Sequence, residues 1–208
     1  MQLTSTSFAD NARIPDHCAF GNPDPAEHMR LGANRNPQLS WSGVPEAAKS
    51  LVLLCIDPDV PSSAENINQE GKKIPADLPR VDFCHWAMVD IAPLDSSIAE
   101  GSCSDGVTAR GKKTTPGPEN TRQGINDYTG FMAGDADMGG EYFGYDGPCP
   151  PWNDERLHHY HFILYATDLV TCPVQETFTA TDVKRAIDSH ILAEARLVGT
   201  YSLNPEVR

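Results

Sequence analysis

Three short stretches place groups able to move protons or hold a ligand beside strand-like segments. The first is "DPDVP", which follows the apolar run "LVLLCI" and sets the carboxylates of Asp57 and Asp59 ahead of Pro61. The second is His85-Trp86, which opens "HWAMVDI". The third is "GYDGPCPPWNDERLHHYHF", residues 144–162, where Pro148, Pro150 and Pro151 stiffen a loop and His158, His159 and His161 follow. Carboxylates and imidazoles are the side chains that exchange protons near neutral pH, so Asp57, His85 and His158 could form an acid–base set. Cys149, in the same loop, could pair with a histidine as a nucleophile. Three imidazoles so close together also raise the question of a metal.

Alternation along a strand separates these readings. If 158–166 is extended, His158, Tyr160, Phe162 and Leu164 share one face, and His159, His161, Ile163 and Tyr165 share the other. His158 and Tyr160 then point into one recess, while only His159 and His161 remain together as metal ligands. No metal ligand is therefore assigned. Gly147 permits close backbone approach to a ligand, whereas the prolines leave few N–H donors. There is no serine elbow, phosphate-cradling glycine loop or HExxH pattern. A rigid wall of this kind suits binding rather than turnover, so no catalytic residue and no cofactor is expected. Taken alone, "DPDVP" reads as a strand-ending turn and His85 as a structural histidine.

The elements that must carry these residues are short runs bounded by Gly, Pro, Asn and Asp. "LTSTSFA", "PQLSWSG", "SLVLLCID", "CHWAMVDIA", "HYHFILYATD" and "ARLVGTYS" read as strands, with Trp41 and Trp86 as core aromatics. Their number and spacing predict a mainly β protein built from packed sheets. In "TATDVKRAIDSHILAEARL", Val183, Ala186, Ile187, His190/Ile191 and Ala195 recur at helical spacing, and Thr179 with Asp182 forms a capping-box pattern. A helix just before the last strand is predicted there. Residues 62–80 and 93–145 are long polar excursions that wrap the surface with minor structure of their own. The basic cluster Arg110, Lys112, Lys113 and Arg122 reads as a solvated loop.

The chain has 208 residues, with no linker and no internal repeat, and is expected to form one domain over 1–208. Its 16 basic residues face 29 acidic ones, a formal charge of −13, which opposes nucleic-acid or anionic-membrane binding. No apolar run approaches the ~20 residues of a membrane span, and the first residues lack the basic-then-apolar order of an export signal. The six cysteines include no CxxC pair and read mostly as free thiols. Together these features predict a cytoplasmic protein.

"DPDVP", "HW", "GPCPP" and "LHHYHFILYATD" together resemble the signature blocks of the phosphatidylethanolamine-binding proteins, in particular their bacterial Raf kinase inhibitor-like branch. "SFADNARIP", "GANRNPQLSWSGVP" and "HILAEARLVGTY" extend the resemblance almost end to end. It implies two packed antiparallel sheets in a Greek-key arrangement, with a small anion pocket at one end. Asp57, His85, Gly147, Pro148, His158 and Tyr160 match the pocket positions; Asp59 matches the second acid, and Pro61, Trp86 and Pro150 support it. The chain departs from the family at two places. His159 stands where an arginine is usual, and "WNDER" fills an interval that usually holds glycine.

The resemblance implies a binding, regulatory or inhibitor protein for a small anion or phosphorylated ligand such as a lipid head group. It admits a kinase or protease as protein partner, met through the long 93–145 loop independently of the pocket, and is compatible with a homodimer. An acid beside a phosphate site needs a role. Asp57 either holds a histidine and favours its charged form, or accepts a hydrogen bond from the ligand. His158 and Tyr160 would donate to the anion, which predicts tighter binding as pH falls through the histidine range.

Overall fold

The structure is a computed structural model and describes residues 1–207. In chain order the elements are β1 (Gln2–Thr4), β2 (Ala12–Arg13), a 3-10 turn (Asp16–Cys18), β3 (Gly21–Asp24), β4 (His28–Leu31), β5 (Leu39–Ser42) and β6 (Ser50–Pro61). There follow β7 (Arg80–Ile91), β8 (Ser96–Ile98), β9 (Arg122–Gln123), α1 (Tyr128–Phe131), β10 (His158–Thr167), α2 (Ala180–Ile187) and β11 (Ile191–Tyr201). A six-stranded sheet runs β2-β11-β10-β6-β7-β9, a three-stranded sheet runs β1-β5-β8, and β3-β4 is a separate hairpin. All neighbours are antiparallel except β2 and β11.

The unbroken apolar run of β6 follows from covering the large sheet on both faces. Leu51, Leu53 and Cys55 meet Trp86, Met88, Phe162 and Leu164 in a core shared with Leu3, Leu39 and Trp41 of the smaller sheet. The alternate residues Val52, Leu54 and Ile56 pack with Ala87, Val89 and Ile163 under Val183 and Ile187 of α2. A period of 2 with both faces buried leaves no polar position to interrupt the sequence. Trp41 and Trp86 are both buried, and all six cysteines are free.

The helix is shorter than the apolar spacing predicts. It begins with the Thr179–Asp182 capping box, with both reciprocal hydrogen bonds formed, but ends at Ile187. His190 lies in the turn beyond it, and Ile191 and Ala195 belong to β11, in which Ala195, Leu197 and Tyr201 are buried at alternate positions. "ILAEARLVGTY" satisfies a period of 2 as well as one of 3.6. Pairing decides in favour of the strand, because β11 runs beside β10 from Thr167↔Ile191 to His158↔Tyr201.

"DPDVP" is not a strand-ending turn either. The strand continues through it to Pro61, and its register against β7 shifts between Asp57 and Val60. An irregularity of this kind re-aims side chains locally. The 93–145 excursion contains β8, β9 and α1, and is fastened to the sheets rather than loose.

Candidate functional site

A cavity of about 280 Å³ opens where β6, β7 and β10 converge. It collects Asp57, His85, His158 and Tyr160, groups from three strands far apart in sequence. As alternation requires, His158 and Tyr160 are buried, whereas His159 and His161 sit partly exposed on the opposite face. The walls are apolar, with Phe83, Phe131, Leu31 and the methionines 29, 132 and 138 among them. Polar groups are confined to a few positions, as in sites that orient a ligand by one end.

His158 is clamped between two carboxylates. Its Nδ1 lies 2.6 Å from Asp57 Oδ2 and its Nε2 lies 3.1 Å from Asp154 Oδ2. A ring facing acceptors on both sides is satisfied only as imidazolium, which donates twice. Burial pushes its pKa down, but the two carboxylates override this and hold it at about 9. Asp154 in turn takes two hydrogen bonds from Arg80, Nη1 to Oδ2 at 2.6 Å and Nη2 to Oδ1 at 3.1 Å. Burial raises the Asp154 pKa, yet the hydrogen bonds from His158 and Arg80 keep it below the usual carboxylate value. Asp57 Oδ1 accepts from the Asp59 backbone N–H at 2.8 Å. The sequence alone points His158 at a ligand; here both of its nitrogens already face the protein's own acids.

His85 is arranged differently. Its Nδ1 lies 2.8 Å from the Asp146 carbonyl, so Nδ1 carries the proton and Nε2 is the nitrogen left for a ligand. Burial pushes its pKa below the ordinary value, against the pull of Asp57, so the ring is neutral at neutral pH. Asp146 is itself fixed by Asn34 at 2.7 Å, Asn126 at 2.8 Å and Lys112 Nζ at 2.8 Å. Lys112 thus belongs to the support of His85 rather than to a solvated loop. Beside His85 stands Tyr160, whose hydroxyl is buried and has no hydrogen-bond partner among the described residues.

The other candidates take supporting places. Gly147 and Pro148 lie behind the wall. The Gly147 N–H donates to Asn34 Oδ1 at 2.8 Å, and a side chain there would strike the Cys18 carbonyl. The Pro148 carbonyl accepts from the Phe20 N–H at 2.9 Å. Pro150 and Pro151 line the cavity directly. Trp86 is buried, with its indole N–H donating to Gln123 Oε1 at 2.7 Å, and Pro61 pairs with Arg80 at the strand end. Asp59 turns outward to Arg156 Nε at 2.6 Å and His159 Nδ1 at 2.8 Å, so a guanidinium reaches this acid although position 159 holds histidine.

"WNDER" supplies most of what the sequence did not reveal. Besides Asp154 and Arg156, it contributes Trp152, stacked on His28 at 3.9 Å, and Asn153. The Asn153 amide donates to the carbonyls of Asn66 and Lys72, and its oxygen accepts from the Asn68 N–H, which ties the 62–80 segment to the cavity rim. The one available signal was the placement of Asp154 four residues before His158; nothing marked Arg80. His158 is buried on the cavity face, while His159 and His161 lie on the other face of β10. Elsewhere, ligand atoms of His17, Cys18 and Glu100 lie within 4.8 Å of one another, but burial pushes the Cys18 thiol up to about 12.

Comparison with known proteins agrees with this architecture. A sequence model of the family described as phosphatidylethanolamine-binding protein matches residues 4–202. The chain belongs to the phosphatidylethanolamine-binding protein family. Its relatives include the UPF0098 protein of Chlamydia muridarum, 34% identical over 97% of this chain and 98% of that one. A UPF0098 protein of Methanothermobacter thermautotrophicus is 33% identical, again over 97% and 98%. Among solved structures, the family homologue CT736 of Chlamydia trachomatis aligns with a TM-score of 0.64 at 30% identity, covering 97% of this chain and 96% of that one. Escherichia coli YbcL, a family member at 24% identity, shares the fold with a TM-score of 0.68 over 97% of both chains. Among the described residues no helix is long and apolar enough to cross a membrane.

Proposed function

We propose that this family member is a ligand-binding protein, regulatory or inhibitory in role, whose cavity holds the oxyanion head group of a small phosphorylated or similar ligand without transforming it. The observation that carries this reading is the Tyr160 hydroxyl, a buried donor without a partner at the polar end of an apolar-walled cavity. Buried polar groups are normally paired, so an orphan facing a cavity points to a partner that comes from outside. An oxyanion oxygen accepts its hydrogen bond and forms a second one with His85 Nε2, the shared proton residing on the imidazole or on the ligand. The acid next to the anion is accounted for, because Asp57 is already neutralised by His158. The remainder of the ligand lies along Phe83, Phe131 and the methionines.

The same geometry disfavours catalysis. His158 has no lone pair to accept a proton while both nitrogens donate to carboxylates. Burial raises the Cys149 thiol to about 12, leaving almost no thiolate nucleophile at neutral pH. A protein partner, a kinase or protease among them, would be met through the 93–145 segment, where Leu94 is exposed away from the cavity lining.

Calorimetry with methyl phenyl phosphate tests the reading. Binding by the wild type that is lost in Tyr160→Phe and His85→Ala is expected, with no hydrolysis of p-nitrophenyl esters or phosphates. Absence of binding, or equal binding by Tyr160→Phe, would overturn it. A regulatory effect that survives His85→Ala would assign that effect to the surface instead.

A further inference from the structure

Asp154 stands against His158 as an incoming oxyanion would. Its Oδ2 is 3.1 Å from Nε2, and this buried oxygen also receives Arg80 Nη1 at 2.6 Å. The second cation at this end is therefore committed too, and Arg80 further donates to the carbonyls of Asp59 and Pro75, each at 2.8 Å. The formal charges of Asp57, Asp154, His158 and Arg80 cancel. Among the described residues that line the cavity, no cation is left unspent; the donors left at its polar end are the Tyr160 hydroxyl and, when protonated, His85, with the Asn68 amide at the rim.

We infer that Asp154 is a specificity-determining residue that occupies Nε2 of His158 and so restricts the cavity to head groups bearing one negative charge. The inference rests on the oxyanion reading above. A charge moved into an apolar-walled site needs a compensating one. A single charge is met by one proton shared with His85, whereas a second has no counterpart while Asp154 holds both cations. The ligand class is then a phosphodiester or another singly charged organic oxyanion, and phosphomonoester dianions are excluded. Without the Asp154 charge, His158 and Arg80 together outweigh Asp57, and dianions are admitted.

The test uses two probes that differ by one methyl group, phenyl phosphate and methyl phenyl phosphate. At about pH 7.5 the first is mainly dianionic and the second carries one charge. Calorimetry on the wild type should favour the diester by roughly tenfold or more, and Asp154→Asn should raise affinity for the monoester by a similar factor and the diester by less. In 15N spectra of the wild type, the His158 Nε2 resonance should stay in place as methyl phenyl phosphate binds, because Asp154 keeps it. A monoester/diester ratio unchanged by Asp154→Asn, or a wild-type His158 Nε2 signal that shifts on binding, would overturn the inference while leaving oxyanion binding intact. If neither probe binds either protein, the oxyanion reading falls and takes this inference with it. Should Asp154→Asn not fold, the wild-type spectrum decides alone.

Discussion

The phenol of Tyr160 and the imidazole of His85 meet edge to face, their ring centroids 5.0 Å apart at 70°. One of these partners keeps a hydroxyl that nothing among the described residues satisfies. The other has a nitrogen free because its opposite nitrogen is held by the Asp146 carbonyl. The pair is preorganised for something outside the chain.

Replacing Tyr160 with Phe should therefore cost no stability. Leaving a buried hydroxyl unpaired costs about 1–3 kcal/mol, so its removal should be neutral or stabilising. Urea unfolding of the ligand-free variant checks this. A midpoint well below that of the wild type would mean that the hydroxyl is paired within the protein.

Stability should fall in mild alkali. The His158 pKa is raised from its ordinary 6.5 to about 9, so the folded state binds more protons than the unfolded chain between these values. The contribution, on the order of 3 kcal/mol, is complete below pH 6.5 and is lost as pH rises through 9. Above that, buried Cys149, with its pKa near 12, continues the decline because the unfolded thiol ionises first. Unfolding midpoints measured from pH 6 to pH 10 should drop steadily, and a flat profile to pH 9 would contradict the clamp.

Ligand affinity should have a different pH dependence, set by His85. Its pKa lies below the ordinary histidine value, and an oxyanion on Nε2 raises it. Affinity for methyl phenyl phosphate, whose charge does not change in this range, should rise as pH falls below neutrality. It should level off once pH passes below the His85 pKa of the free protein. Calorimetry from pH 5 to pH 8 should show this slope in the wild type and lose it in His85→Gln.

Lys112→Met should destabilise the protein by about 3–5 kcal/mol, because it strands the buried Asp146 carboxylate. Hydrogen exchange should quicken through the 99–146 segment, and oxyanion affinity should fall as His85 loses its anchor. Unchanged exchange there would show that the segment is held by other contacts.

The long strands were legible because burial leaves a direct imprint on residue type. The unbroken run 51–56 and the alternation 158–165 told which side chains face together, and thereby that His158 and Tyr160 enter one recess. Block resemblance added Asp57 and His85. The His158 clamp was not legible: it depends on Asp154, in a segment that looked like a mere departure from pattern, and on Arg80, which carries no local mark. The end of α2 was hidden because "ILAEARL" fits both periods and only the neighbouring strand β10 chooses between them. Lys112 looked solvent-exposed for a similar reason, since a loop's composition does not say what its tip is tied to.

Arg80 also bears on how fast an anion arrives. Its guanidinium is buried and wholly engaged, so it offers no free positive charge to an anion at the cavity, while the protein as a whole carries −13. An approaching anion meets long-range repulsion and gains attraction only after docking. Added salt, which shortens the reach of that repulsion to about 8–10 Å at ordinary ionic strength, should speed capture rather than slow it, the reverse of the usual electrostatic guidance of ions into a pocket.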